Sequence, residues 1–297
     1  MPGSGRALWR VMAVLLLGLV LSASFLLRTR RHAVPPSLLP AAGAGEPAGR
    51  FRVEYGPAAG DLEAWRTRLW QDRVLERAAD RLNGFVALPE DVTLAFAECG
   101  EDDAYYRKRR VTFCYEEVAD YAELLAPAAS GRLSERATRR VEAATLFFLF
   151  HEAGHALVDV LQVPVTGKEE DAVDQFAVYF LEESGAPDMR EDAVRAAEVM
   201  GRLARADSAD DDRTPVWDVH SLDAQRHANL LCWIYGADPR AFGDVVRRAG
   251  LPRERRSTCG EEYAQMAASW DELLARSLKE PAPADREPQP RALRPAL

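Results

Sequence analysis

The stretch FLFHEAGHAL, residues 148–157, places two histidines and a glutamate inside a strongly apolar run. The spacing of apolar residues around it predicts one long helix over residues 134–161. Positions four apart lie one above the other on a helix, so His151 and His155 present two imidazoles on the same face. This arrangement is suited to binding one metal ion.

Glu152 follows the first histidine and can reach a water molecule bound to such an ion. The pattern H-E-x-x-H on a helix therefore supplies two zinc ligands and one general base. Zinc lowers the pKa of its bound water towards neutrality. The pattern also arises by chance, but a buried ionisable trio without a metal is costly, which favours the metal site. Gly154 predicts the close approach of another backbone or of substrate.

Zinc hydrolases need a third protein ligand and leave one position open. No histidine follows His155 at the metzincin spacing, and the better candidate lies in KEEDAVDQ. We predict Glu170 as the third ligand and Asp174, one turn later, as the acceptor of the free ring N–H of a ligating histidine. Glu169 and Asp171 fit an acidic helix start, and each of them, like Asp174, is an alternative to Glu170 as the third ligand.

Two more histidines occur in VWDVHSLDAQRHANLLCWIYG. Zinc peptidases often use an additional side chain to stabilise the oxyanion, and Asp218 with His220 is a candidate pair. Ser221 would then cap the following helix. The alternative interpretation of His220 is an ordinary structural role. We interpret His227 as a surface or packing residue.

The composition describes a folded, exported domain. The chain has 297 residues, 47% of them hydrophobic, and a net charge of -9, which argues for one substantial core and against a nucleic-acid partner. Residues 11–27 carry no charge and have arginines on both sides, so residues 1–31 are predicted to be a signal anchor or a cleaved signal peptide. We expect a membrane-anchored protein facing the extracytoplasmic side, or a secreted one if the leader is cleaved.

Segments rich in proline, glycine and alanine flank the predicted domain over residues 51–278: a flexible linker, 32–50, and a disordered tail, 279–297. An even number of cysteines in an exported chain indicates disulfides. We predict the pairs Cys99–Cys114 and Cys232–Cys259. A four-cysteine zinc site is disfavoured because the sequence has no C-x-x-C spacing.

The predicted fold is α+β: a mainly helical, zincin-like domain with one small antiparallel sheet. Apolar and polar residues alternate over residues 92–99 and 110–116. Both segments are rich in β-branched and aromatic residues, so we expect a hairpin closed by the first disulfide. Tyr105, Tyr106 and Tyr115 flank it, either as sheet packing or beside a strand edge that accepts a peptide. Helices are predicted over residues 62–83, 117–125, 134–161, 169–184, 191–205, 221–235 and 261–278.

Four motifs in this order, FLFHEAGHAL, GKEEDAVDQFA, WDVHSLDAQRHANLLCWIYG and CGEEYAQMAASW, resemble a bacterial family of metallopeptidase-like proteins known as a domain of unknown function. The resemblance spans most of residues 51–278. More distantly, Glu170 and Asp174 resemble the Glu-x-x-Ala-Asp element of gluzincins related to membrane-bound CAAX-processing and heat-shock zinc peptidases, with Val173 where alanine is usual. In those enzymes the glutamate is the third zinc ligand and the aspartate supports a ligand. The resemblance implies peptidase activity on a peptide or protein.

The sequence thus predicts a metallopeptidase with one zinc ion, in which Glu152 is the general base. One alternative is a non-catalytic, zinc-containing interaction module of the cell envelope, which a fourth protein ligand would reveal. A third interpretation is a deformylase-like hydrolase in which Cys99 or Cys114 is a free thiol and metal ligand.

Overall fold

The computed structural model describes residues 49–126, 133–184, 186–207 and 217–279. Within these ranges the chain forms a small mixed sheet and a larger set of helices, so the predicted α+β class with a mainly helical domain is confirmed. The predicted membrane segment over residues 1–31, nearly all of the linker and the tail beyond residue 279 lie outside the described residues.

The sheet is built from β1 (Phe51–Tyr55), β2 (Val92–Ala97), β3 (Ala104–Arg107) and β4 (Arg110–Cys114), in the order β1-β2-β4-β3. The first three in that order are parallel, and β3 pairs antiparallel with β4 at the edge. The sheet is therefore mixed. The strand β1 was not predicted from the sequence.

The predicted hairpin between residues 92–99 and 110–116 is wrong, because β2 and β4 are parallel, with Phe96 opposite Phe113. The chain between them forms β3 first and turns back into β4. The turn residues Lys108 and Arg109 have φ values of 50° and 62°, which suit a two-residue hairpin turn. The antiparallel hairpin thus consists of β3 and β4.

The helices surround this sheet and extend well beyond it. Their bounds are α1 (Leu62–Gln71), α2 (Val74–Phe85), α3 (Tyr115–Leu125), α4 (Glu135–Leu161), α5 (Glu169–Glu183), α6 (Pro187–Asp207), α7 (Asp223–Ala237), α8 (Pro239–Arg248), α9 (Arg253–Arg256) and α10 (Cys259–Leu274). The single helix predicted over residues 62–83 is divided, because Arg73 adopts a left-handed conformation with φ 52°. α1 packs against α3, whereas α2 packs against β1. The break at Arg73 lets the two helices make these different contacts.

The helix α4 lies at the centre of the fold, in contact with α5, α6 and the strands β3 and β4. It begins after Ser134, whose hydroxyl accepts a hydrogen bond from the amide of Ala137 at 3.2 Å. Its length and composition would allow a membrane span, but 67% of its most apolar window is buried within the protein. Within the described part of the chain, α4 is therefore best understood as the core helix of the domain.

Both disulfides in the structure have the pairing predicted from the sequence. Cys99–Cys114 connects the chain just after β2 with the end of β4, and Cys232–Cys259 connects α7 with the start of α10. All four cysteines are bonded, so the deformylase-like interpretation with a free Cys99 or Cys114 is wrong.

One buried carboxyl group makes the stability of this fold depend on pH. Oε1 of Glu182, on α5, has no hydrogen-bond partner, and Oε2 accepts a hydrogen bond from Arg190 Nε at 2.8 Å. Burial raises the pKa of Glu182 from 4.5 to about 7 despite the attraction of Arg190, with Glu183 and Asp238 adding to the rise. Between pH 4.5 and 7 the unfolded state loses this proton while the folded state keeps it, so the free energy of unfolding falls as the pH rises.

We expect Glu182→Gln to reduce this loss of stability, by an amount on the order of 3 kcal/mol. Thermal unfolding between pH 4.5 and 7.5 would show a smaller fall in Tm for the variant than for the parent protein. Glu135→Gln, at an exposed position of α4, is the matched control and should follow the parent. Parallel curves for Glu182→Gln and the parent would contradict the prediction.

Candidate metal centre

Three imidazole rings converge on one carboxylate oxygen, Oε2 of Glu170 in the first turn of α5. Nε2 lies 3.2 Å from this oxygen in His151, 3.4 Å in His155 and 3.0 Å in His220. Ligands bonded to zinc at 2.0–2.1 Å in a tetrahedron are separated by about 3.3 Å. The donor types and their separations from Glu170 therefore suit a zinc ion. Two triads at this site have ligand atoms within 4.8 Å of one another, His151–Glu170–His220 and His151–Glu152–His155. Oε1 of Glu152 lies 3.8 Å from Nε2 of His151.

The other nitrogen of each ring, Nδ1, lies beside a carboxylate oxygen. A carboxylate in this position accepts the Nδ1–H bond and leaves the lone pair of Nε2 free for a metal. With a metal bound at Nε2, these carboxylates would hold all three rings in the tautomer that a metal ligand needs. The distances are 2.7 Å for His151 with Asp174, 2.8 Å for His155 with Glu169 and 3.2 Å for His220 with Asp218.

A buried arginine supports the first of these carboxylates. Arg226 of α7 donates to both oxygens of Asp174, from Nε at 2.8 Å and from Nη2 at 2.9 Å, and its guanidinium lies over the ring of Phe148. Burial would raise the pKa of Asp174, but the charge and hydrogen bonds of Arg226 and the bond from His151 hold it well below its usual range. The position of the His151 ring therefore depends on an ion pair between α5 and α7.

The electrostatic environment separates the two glutamates of the site. Burial tends to raise the pKa of Glu170, but hydrogen bonds from the three histidines hold it far below its ordinary value. Burial raises the pKa of Glu152, against the charges of His151 and His155. Glu170 is therefore the ionised carboxylate that a cation would contact, and Glu152 is the one with the greater affinity for a proton.

Gly154 explains why α4 and α5 come so close at this site. A Cβ atom placed there would lie 2.9 Å from Cβ of Val173 and 3.2 Å from Cδ1 of Phe176, both on α5. The expectation that another backbone or a substrate approaches Gly154 is wrong, because side chains of α5 occupy this space. The contact brings the first turns of α5 up to the two histidines of α4.

The candidate centre opens into a cleft of about 660 Å³. Its lining includes residues of the edge strand β3 and of the segment that precedes α7. The residues that line it are Asp103, Ala104, Tyr105, Tyr106, Glu152, His155, Asp159, Lys168, Glu169, Glu170, Val219 and His220. Of the three tyrosines noted in the sequence, Tyr105 and Tyr106 line the cleft, whereas Tyr115 is buried against Phe96.

Three residues of the site have contacts that were not predicted. Lys168 donates from Nζ to the backbone carbonyls of Asp218 and His220, at 3.0 and 3.1 Å. Glu169, assigned to the helix start or to the metal itself, hydrogen-bonds to His155, and Arg226 pairs with Asp174. All three lie inside the motifs that suggested the family, but no spacing rule points to them.

Two further details differ from the predictions or lie outside the site. Ser221 is not the helix cap, because α7 begins one residue later, after Leu222, and the hydroxyl of Ser221 donates to Asp171 at 2.7 Å. His227 is half-buried, with its ring against Gly201, so it packs between α7 and α6. Both observations leave the three converging rings as the histidines of the site.

An H-E-x-x-H helix with a carboxylate from the next helix is typical of metallopeptidases. Comparison with known families agrees: the chain belongs to the family described as "Putative metallopeptidase", whose model matches residues 56–274. No curated protein and no solved structure matches the chain.

Gly154→Ala tests the close approach of the two helices. The added Cβ must displace Val173, so we expect a loss of about 1–3 kcal/mol in stability and weaker zinc binding, although alanine is the better helix former. Urea unfolding and competition with a chromophoric chelator would measure the two effects. Gly84→Ala in α2, where the added atom has open space, is the control and should be neutral or stabilising. A stable Gly154→Ala protein with unchanged zinc affinity would refute this interpretation.

Arg226→Met tests the buried ion pair. The change leaves Asp174 buried without its partner, so we expect the metal-free protein to lose about 3–5 kcal/mol of stability. The double variant Asp174→Asn/Arg226→Met removes both charges and should recover most of this loss in urea unfolding, while zinc affinity stays low because His151 is less firmly held. Arg139→Met, at an exposed pair, is the control. Recovery of zinc affinity together with stability would show that the pair does not position the ring.

Proposed function

We propose that this protein is a zinc-dependent peptidase that hydrolyses peptide bonds, with His151, His155 and Glu170 as metal ligands. The observation that supports this proposal is the convergence of imidazole Nε2 atoms on Glu170 beside a buried Glu152, at the base of an open cleft. When bound, zinc would lower the pKa of a water molecule and polarise the carbonyl of the substrate.

The side chains around the proposed metal site have separate roles in the reaction. Glu152 takes the proton of the attacking water on its carboxylate and then passes it to the nitrogen of the departing amine. Asp174 and Glu169 keep the rings of His151 and His155 in place by accepting their Nδ1–H bonds. His220 lines the cleft beside Glu170, where a ring N–H can stabilise the oxygen of the attacked carbonyl.

The edge strand β3 is the proposed binding site for the substrate backbone. It pairs with β4 on one side only, and three of its residues, Ala104, Tyr105 and Tyr106, line the cleft. An extended peptide can add to such an edge through main-chain hydrogen bonds, which act on any sequence. Peptides and proteins in extended conformation are therefore the proposed substrates.

An extracytoplasmic location, with a membrane anchor at residues 1–31, is part of the proposal. Its support is the pair of disulfides, Cys99–Cys114 and Cys232–Cys259, because such bonds persist in oxidising compartments.

A second candidate function has one observation in its favour. The Nε2 atom of His220 lies as near to Glu170 as those of the other two histidines, so a fourth protein ligand is within reach. A permanently closed set of four ligands is typical of structural zinc sites, as in an interaction module. The role of Glu152 separates the two functions, because a structural site does not need it.

Glu152→Gln is the decisive variant. We expect it to keep a full equivalent of zinc and to lose peptide hydrolysis by about 10²–10⁴-fold, because the proton acceptor is absent. His151→Ala should lose both zinc and activity. Metal analysis and cleavage of a mixed peptide library, using the full-length chain, would measure these effects.

Glu142→Gln, on the same helix but outside the cleft, and His227→Gln are the matched controls and should behave like the parent protein. Hydrolysis that survives Glu152→Gln undiminished would rule out the proposed mechanism. Zinc bound without any hydrolysis in the parent would favour the interaction module.

A further inference from the structure

We propose that His220 is a fourth ligand of the metal, that Lys168 holds it in place, and that the substrate displaces it. The resting site is then closed, and binding of a peptide opens it. The inference rests on the proposed function for the identity of the metal and the nature of the substrate, but its central claim concerns the coordination of the ion alone.

The first argument is that His220 has the same two contacts as the other rings. Its Nε2 atom lies 3.0 Å from Oε2 of Glu170, the shortest of the three separations, and its Nδ1 atom lies 3.2 Å from a carboxylate oxygen of Asp218. Metal-bound histidines almost always have such a carboxylate or carbonyl partner at the second nitrogen. An imidazole that served only the substrate would not need to point at the ligand Glu170.

The second argument concerns how the ring is held. Lys168 directly precedes α5 and donates to the carbonyls of Asp218 and His220, so the segment before α7 is connected to the same helix that supplies Glu170. The amide of His220 also donates to Asp218, at 2.8 Å. These bonds keep Nε2 directed at the centre without involving the hydrophobic core.

The third argument concerns release. His151 and Glu152 are buried in the core helix, whereas the side chain of His220 is 44% exposed. Its neighbours Trp217 and Val219 are also exposed, at 84% and 64%. The ring can therefore leave the ion by moving a surface segment, with no loss of core packing.

Displacement gives His220 a second position within the same site. A peptide added to the edge of β3 would place its carbonyl where it competes with the imidazole of His220 for one position on a bound metal. The released ring remains tied through Lys168 at the rim of the cleft, and its N–H can then face the carbonyl oxygen. The closed state and the proposed oxyanion contact would thus be successive states of one residue.

X-ray absorption of the zinc-loaded, full-length chain would count the imidazoles on the ion. We expect three in the parent protein and two in His220→Ala. Zinc affinity, measured by chelator competition, should fall by about 10- to 100-fold in His220→Ala and by less in Lys168→Met. Lys279→Met is the matched control, because it also removes a hydrogen bond from a lysine to a backbone carbonyl, that of Asn83, far from the site.

Acetohydroxamate, a small zinc-chelating probe, would test displacement. We expect the imidazole count of the parent protein to fall from three to two when it binds. Two imidazoles in the parent protein without the probe, or unchanged zinc affinity in His220→Ala, would overturn the assignment of His220 as a ligand. Three imidazoles that persist with the probe bound would overturn its displacement.

These outcomes are separate from those of the proposed function. If the parent protein has two imidazoles on zinc and still hydrolyses peptides through Glu152, the peptidase stands and the His220 proposal fails. If it has three imidazoles and no hydrolysis that depends on Glu152, the fourth ligand stands and the peptidase fails.

Discussion

The contact between α4 and α5 at Gly154 is the constraint on which the candidate centre depends. The proposed metal site needs a third side chain close to the two histidines of α4, and the candidate, Glu170, comes from another helix. The missing side chain at Gly154 lets Val173 and Phe176 lie directly against α4. Because side chains in a core pack at near-crystalline density, a change of one methyl group at this point would be transmitted to the first turn of α5. Packing and chemistry are therefore set by the same few atoms.

The buried charges of the site form a balanced set rather than a single ion pair. Arg226 neutralises Asp174, Asp174 orients His151, and the histidines in turn stabilise the negative charge of Glu170. Burial opposes ionisation of each carboxylate, and each retains its charge only because of its neighbours. Three helices, α4, α5 and α7, supply these side chains, so their packing fixes where the charges lie relative to one another.

Sequence reasoning could predict the parts of the structure that depend on the spacing of nearby residues along the chain. The helical period placed His151 and His155 on one face, and a one-turn separation placed Glu170 and Asp174 on another; helical content and the α+β class follow from the same patterns. The parallel pairing of β2 with β4 was not predictable in this way, because alternation marks a strand but not its partner. Arg226 contacts Asp174 across 52 residues of sequence, and Lys168 contacts carbonyls 50 and 52 residues away, so only tertiary structure reveals these contacts. The roles of the metal-site residues remain predictions.

The bond between Cys99 and Cys114 has a consequence for how such a cleft can diversify. It joins the ends of two adjacent parallel strands, β2 and β4, and encloses the whole excursion that forms β3 in a covalent ring with a sequence separation of 15. Substitution of an exposed residue in this ring, such as Tyr105, would change a wall of the cleft, and the disulfide would keep the ends of β2 and β4 together. Because β3 and β4 also contact α4, only positions whose side chains face the cleft and not α4 can vary without disturbing that helix.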